Sequence, residues 1–252
     1  MVLFLRVLSA FLLFVKPATN PQNNVVEPGT WENKVYNESI KSVVIHKKDS
    51  ELSFPIIRLD SEEKIYLQFD EIGTSINDYT FTIIHCDAKW QQSDLNPIEY
   101  IDGYQEVDIA DYSLSQNTLV NYVNYTVEFP TDNFKITKSG NYIIKVYERN
   151  NPENRILTRR FYVMEELVEI NATIDRMNVK VKDGLNQRIN IELDCKNEIE
   201  NPSETILLKV QKNNGLIKDF SGIKPSFVNS NILKYSAISE LAFAGGNEFR
   251  HF

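Results

Sequence analysis

The sequence predicts an all-β protein made of tandem β-sandwich units of immunoglobulin-like type, the second of them incomplete. Three observations predict it. Apolar residues recur at every second position in several separate runs, which is the period of a strand with one buried face. Turn-forming residues punctuate those runs. No apolar period of 3.6 residues extends over a useful length outside the N-terminal segment.

The elements follow in chain order. The opening MVLFLRVLSAFLLFVKPATN places Arg6 before an apolar stretch from Val7 to Val15, closed by Lys16 and Pro17. That stretch is too short to span a bilayer and has the layout of a secretory signal over residues 1–19, with a short membrane anchor as the competing reading. No cysteine follows it before Cys86, so no lipid anchor is expected. Residues 20–35 are Asn-rich and unpatterned, the composition of a mobile leader.

A first domain is expected over residues 36–165. Ile65, Leu67 and Phe69 alternate with polar neighbours, as do Val123, Tyr125, Val127 and Phe129. Tyr142, Ile144 and Val146 repeat the pattern, with Phe161 and Val163 in a partner run. The turn-rich Asn150 to Asn154 between them predicts a β-hairpin over residues 141–163. Pro55 lacks an amide donor, which confines its run to a sheet edge or a strand start. The pattern pauses at Glu165-Glu166 and resumes at Val168, so a second domain is expected over residues 166–252. There Ile189, Ile191 and Leu193 form one strand face, and Ile206, Leu208 and Val210 another. Asp183-Gly184 and Asn214-Gly215 supply turns.

One segment departs from this grammar. The strand-like Tyr79 to Cys86 runs into a long acidic and aromatic stretch, where Trp90, Tyr100, Tyr104 and Tyr112 stand among Asp87, Asp94, Glu99, Asp102, Glu106, Asp108 and Asp111. A connection of that length is either functional or packed on itself. Tyrosine combines buried area with a hydrogen-bonding tip, so Asp94, Tyr100, Asp102, Tyr104 and Tyr112 are the candidate partner-binding residues. The competing reading is a crossover packed against its own sandwich, and for Trp90 that reading is the expected one.

Candidate chemistry is sparse. The 27 Lys+Arg against 35 Asp+Glu give a net charge of -8, and without a basic stripe no nucleic-acid partner is expected. Three histidines exist, His46, His85 and His251. His85 adjoins Cys86, but neighbouring strand residues point to opposite faces and cannot form a nucleophile-base pair. No nucleophile elbow, zinc-protease or phosphate-loop motif is present, so neither catalysis nor a cofactor is expected. Asp94, Asp102, Asp108 and Asp111 have oxygen ligands suited to calcium, but their spacing fits no calcium-loop pattern and no metal site is expected. Cys86 and Cys195 can pair in an oxidising compartment. Each ends a strand-like run in a separate unit, so two unpaired core thiols are expected.

The string IHCDAKW followed by SDLNPIEYIDG resembles the signature of the type IX secretion system plug family of Bacteroidota. The resemblance continues in FPTDNFKITKSGNYIIKVYE, LTRRFYVME and the final GGNEFRHF. It implies a non-enzymatic periplasmic β-protein, peripherally associated with the outer membrane, whose partner is the translocon channel protein. In that role it seals the channel's inner mouth when no cargo passes. It also implies a C-terminally truncated member, because the family's pattern continues beyond the GGNEFR block. A secreted carbohydrate-binding or adhesion module is the alternative, marked by aromatics on a concave sheet face. A hydrolase is a third, marked by a histidine within reach of both a nucleophile and a carboxylate.

Overall fold

The computed structural model describes residues 30–181, 184–196, 199–208, 210 and 223–244. The signal over residues 1–19, the leader up to residue 29, Asp183, the Asn214-Gly215 turn, His251 and the GGNEFRHF block lie outside the described residues. The chain divides into two compact units between Glu165 and Glu166.

The first unit contains β1 (Lys34–Val35), β2 (Ile40–Lys47), β3 (Ile56–Arg58), β4 (Ile65–Ile72), β5 (Tyr79–Cys86), the one-turn helix α1 (Pro97–Tyr100), β6 (Ile101–Gly103), β7 (Val107–Asp108), β8 (Asp111–Leu114), β9 (Tyr122–Phe129), β10 (Phe134–Ile136), β11 (Gly140–Glu148) and β12 (Asn151–Met164). One sheet has the order β1-β12-β11-β5-β7, with β3 also paired to β12; a second has the order β2-β4-β9-β8; β6 and β10 form a two-stranded ribbon.

Period-two alternation explains why these two sheets pack. Ile65, Leu67 and Phe69 on β4 and Val123, Tyr125, Val127 and Phe129 on β9 meet Phe81 and Ile83 on β5, Tyr142, Ile144 and Val146 on β11 and Phe161 on β12 in a single buried cluster. The rings interlock. Phe129 meets Phe161 edge-on at 5.1 Å between centroids, and Tyr142 stacks on Phe161 at 5.3 Å. Arrangements of this kind are worth about 0.5–1.5 kcal/mol beyond the area they bury.

The predicted hairpin is present. β11 and β12 pair from Gly140 with Val163 to Glu148 with Asn151, and Asn150 adopts φ 63° at the turn. The strand begins earlier than expected, because register shifts between Val146 and Glu148 bring residues of the turn-rich stretch into the ladder. Pro55 directly precedes β3, a short edge strand parallel to β12, and its carbonyl accepts the Tyr162 amide at 2.9 Å. The missing Pro55 amide therefore costs no ladder bond.

The leader is shorter than its composition suggests. Residues 30–35 are docked rather than mobile. The Trp31 amide donates to the Trp90 carbonyl at 2.8 Å, the Arg160 amide to Asn33 Oδ1 at 2.7 Å and the Thr158 hydroxyl to the Glu32 carbonyl at 2.8 Å. Arg160 also donates from its guanidinium to the Trp31 carbonyl. Most of these bonds run through the main chain, which no apolar period announces. The strap covers a small second cluster on the outer face of the sheet, made by Ile84, Cys86, Trp90 and Ile143 with Trp31 and Tyr162 packed against it. Cys86 is buried there as a free thiol, and burial, assisted by Asp87, pushes its pKa up to about 12.

The second unit contains β13 (Glu169–Val181), β14 (Gly184–Asp194), the one-turn helix α2 (Pro202–Thr205), β15 (Phe227–Asn229), β16 (Ile232–Tyr235), a 3-10 turn at Ser239–Leu241 and β17 (Ala242–Ala244). Its described strands form one sheet of order β13-β14-β16-β15, with β17 also paired to β14. Ile189, Ile191 and Leu193 pack with Leu233, Tyr235 and Leu241, as their alternation predicts. Ile206, Leu208 and Val210 also reach this core, but no regular strand is assigned to the described residues among them. Cys195 is buried and free, its pKa raised by burial.

Two outcomes are expected. A fragment of residues 30–165 melts in a single cooperative transition with an all-β circular dichroism spectrum, because the described residues of its core cluster all lie within that span; a non-cooperative melt contradicts this. That fragment holds one thiol. Removing residues 30–35 from it accelerates Cys86 modification by an aromatic disulfide reagent and lowers the melting temperature, whereas unchanged reactivity shows that the strap does not seal the thiol.

Candidate functional site

The acidic aromatic segment of residues 87–112 is not a free loop. It is a chain of short elements, each held by a local device. The Asp87 carboxylate accepts the amides of Lys89 and Gln91 at 2.8 Å each, closing a turn in which Trp90 takes φ 66°. The Trp90 indole is buried, as expected, edge-on to Tyr162 at 5.3 Å and under the Arg160 guanidinium at 4.3 Å. Asn96 and Glu99 then form a capping box with Pro97 in the first turn, which starts α1. β6 pairs with β10, and Gly103 takes φ 104° where a Cβ would collide with the Asn133 carbonyl. β7 extends the six-stranded sheet beside Thr80 and Phe81, and the Ile109 amide donates to the Tyr79 carbonyl at 2.8 Å. β8 then joins the other sheet as its edge strand against β9. The segment thus forms the wall along one side of the sandwich, from the edge of one sheet to the edge of the other.

This placement sorts the five candidate residues. Tyr100 is a correction. It is 2% exposed and packs among His85 and Tyr142, and its hydroxyl donates to the Ile83 carbonyl at 3.3 Å. The single turn of α1 directs its side chain inward, so Tyr100 belongs to the core and offers nothing to a partner. Asp94, Asp102, Tyr104 and Tyr112 are exposed. They do not form one patch. Asp94 precedes α1, Asp102 lies on the ribbon opposite Lys135, Tyr104 follows it with 67% exposure, and Tyr112 stands on β8 with 45% exposure beside the Tyr125 ring.

Electrostatics unite what geometry spreads. The segment carries seven carboxylates against Lys89 alone, a balance of -6 within a chain of net charge -8. Among the described residues only Asp108 of these seven pairs with a cation, Arg149 at 2.8 Å. Such a surface favours a basic partner and repels acidic ones.

The histidines do other work. His85 Nδ1 meets the Ser93 hydroxyl at 2.8 Å and Nε2 the Ser139 carbonyl at 3.2 Å, and burial lowers its pKa. Its ring lies so close to Gly140 that a Cβ there would strike it. His46 Nδ1 meets the Lys47 carbonyl at 2.8 Å. Neither ring links a nucleophile to a carboxylate. Among the described residues no three His, Cys, Asp or Glu side chains gather as a metal site.

Comparison with known proteins adds the family. The profile of the type 9 secretion system plug protein 1st domain matches residues 40–165, the span that forms the sandwich and its acidic wall. A crystal structure of a hypothetical protein from Parabacteroides merdae ATCC 43184 is similar at 30% identity and a TM-score of 0.81, over 88% of this chain and 56% of that one. This chain therefore spans little more than half the length of that relative. No curated protein matches. Half of the chain, including the blocks around Trp90 and the β11–β12 hairpin, is thus covered by one family's first domain, and the chain belongs to the type IX secretion system plug protein family, with a role related to type IX secretion.

Proposed function

We propose that the chain acts as a non-enzymatic plug subunit that occludes the periplasmic side of the outer-membrane translocon of the type IX secretion system, residing in the periplasm against the outer membrane. The acidic wall is the observation that carries this reading: six carboxylates with no salt bridge among the described residues, interspersed with exposed tyrosines, on a body held rigid by an aromatic core. A plug has to dock in a defined orientation and yet yield to cargo. Long-range attraction between an acidic face and a basic rim supplies orientation, while solvent-exposed pairs each contribute only about 0–1 kcal/mol, so the seal stays reversible. Tyr104 and Tyr112 add area that is lost when cargo displaces the plug.

The carbohydrate-binding alternative is less well supported. Among the described residues the exposed aromatics Tyr36, Tyr104, Tyr112 and Phe227 stand at edges, turns and the ribbon end rather than together on a sheet face.

Tyr104→Ala combined with Tyr112→Ala is expected to weaken capture of the channel protein about tenfold or more, at about 1–2 kcal/mol per truncated contact, with the melting temperature nearly unchanged. Tyr100→Ala behaves in the opposite way. Emptying that core position costs about 3–5 kcal/mol of stability and leaves binding per folded molecule intact. If the double variant binds the channel as the parent does, the docking surface lies elsewhere.

A further inference from the structure

An open groove of about 480 Å³ lies beside β7, between Tyr104, Glu106 and Asp108 of the acidic wall and Tyr147, Arg149 and Pro152 of the β11–β12 hairpin. Three features of its lining are unusual together. Tyr147 is 2% exposed, yet its buried hydroxyl makes no hydrogen bond. Glu106 is exposed at the groove and has no ion pair among the described residues. Burial first, and then interaction with the Glu106 carboxylate, push the Tyr147 pKa upward, although phenol and carboxylate are not aligned as a full hydrogen bond. The local cations are already committed or displaced. Arg149 is held by Asp108 at 2.8 Å and lies 4.0 Å from Asp78, and the Lys145 ammonium sits over the Tyr147 ring at 4.9 Å, its charge acting on Glu106 without a salt bridge among the described residues.

An orphaned buried hydroxyl is expensive, because the group has lost water without gaining a partner. It is retained most economically where a ligand completes it. We propose that this groove receives an arginine side chain presented by the basic partner of the acidic wall, its guanidinium donating to Glu106 and, as the Tyr147 side chain turns toward the groove, to Tyr147 Oη, with the Tyr104 ring beside it. The inference rests on the docking reading above and names the chemistry that the docking surface selects. Arginine fits better than lysine for a geometric reason. A planar guanidinium offers several donors in fixed directions and can reach the carboxylate and the phenol oxygen at once while stacking on an aromatic ring, whereas an ammonium is a compact point charge that keeps its water. Once seated, the guanidinium supplies the Tyr147 oxygen with a donor, and the phenol proton turns to the Glu106 carboxylate.

The test uses the full chain, labelled with ¹⁵N, titrated with the blocked tripeptides acetyl-Gly-Arg-Gly-amide, acetyl-Gly-Lys-Gly-amide and acetyl-Gly-Gln-Gly-amide at fixed ionic strength, and with a neutral oligosaccharide. The expected result is saturable movement of the Thr80, Val107 and Arg149 amide signals with the arginine peptide, weaker movement with lysine and none with glutamine or sugar. Tyr147→Phe is expected to weaken the arginine peptide about tenfold, the size of one hydrogen bond to a charged group. The same variant should melt no lower than the parent, since it removes an unsatisfied buried group; this separates ligand binding from folding. Glu106→Gln should abolish the preference for arginine over glutamine. Shifts that spread along the whole acidic segment without saturating, equal affinity in Tyr147→Phe, or binding of the sugar alone each overturn the proposal. Capture of the channel protein separates the two readings. If the Tyr104 and Tyr112 double variant loses the channel while no peptide enters the groove, docking stands and the arginine site fails; if the peptide binds but the channel is not captured at all, the partner assignment fails.

Discussion

Phe69, Tyr79 and Tyr125 touch ring to ring between the two sheets of the first unit, and Phe81, Phe129, Phe134, Phe161 and Tyr142 continue the contact. Each such ring buries on the order of 150–250 Å², and the rings come from β4, β5, β9, β10, β11 and β12. That layer constrains everything outside it. Because side chains alternate along a strand, committing one set of residues to the aromatic layer commits their neighbours to the outer faces. Lys145 and Tyr147 face outward on β11 because Ile144 and Val146 face inward, and Ile84 and Cys86 lie under the Trp31 strap because Ile83 lies in the core.

The acidic wall depends on the same layer. Tyr100, Ile101 and Ile109 pin the segment of residues 87–112 to the core at intervals, with Phe134 and Ile136 of the ribbon beneath it. Between those pins the chain presents Asp94, Asp102, Tyr104, Glu106 and Asp111 to solvent. Like charges held on a fixed frame repel one another, a cost that a mobile loop would relax by moving apart. A rigid frame keeps that repulsion, so the architecture that stabilises the sandwich also holds a concentrated negative field along its side, which is what the proposed docking uses.

The described part of the second unit is simpler. Its described strands form one sheet, its core among the described residues is smaller, and β15 is an edge strand of that described sheet, on which Phe227 and Val228 are about half exposed. An edge that carries exposed apolar side chains is a pairing surface unless something covers it. The contrast with the first unit, where β7 and β8 close one side through a single crossing segment, follows from how many elements each apolar face has to meet.

Much of this architecture was legible in the sequence. Period-two alternation identified the core faces of β4, β9, β11 and β14, because burial on one face of a strand is a local property written into successive residues. The residues around Trp90 and Gly103 marked the segment that became the acidic wall, since acidic and aromatic content over that length fits no ordinary turn. Other features were decided only by the fold. Tyr100 and Tyr104 are four residues apart in the same acidic stretch, yet one bonds the Ile83 carbonyl inside the core and the other faces solvent, because one turn of α1 and the pairing of β6 with β10 set their directions. The docking of residues 30–35 was equally hidden, since it depends on main-chain bonds to residues more than a hundred positions away. The sequence alone determined which residues want burial and which carry the charge; the tertiary structure decided which of them meet, because contact between distant strands depends on pairing and direction that no local pattern encodes.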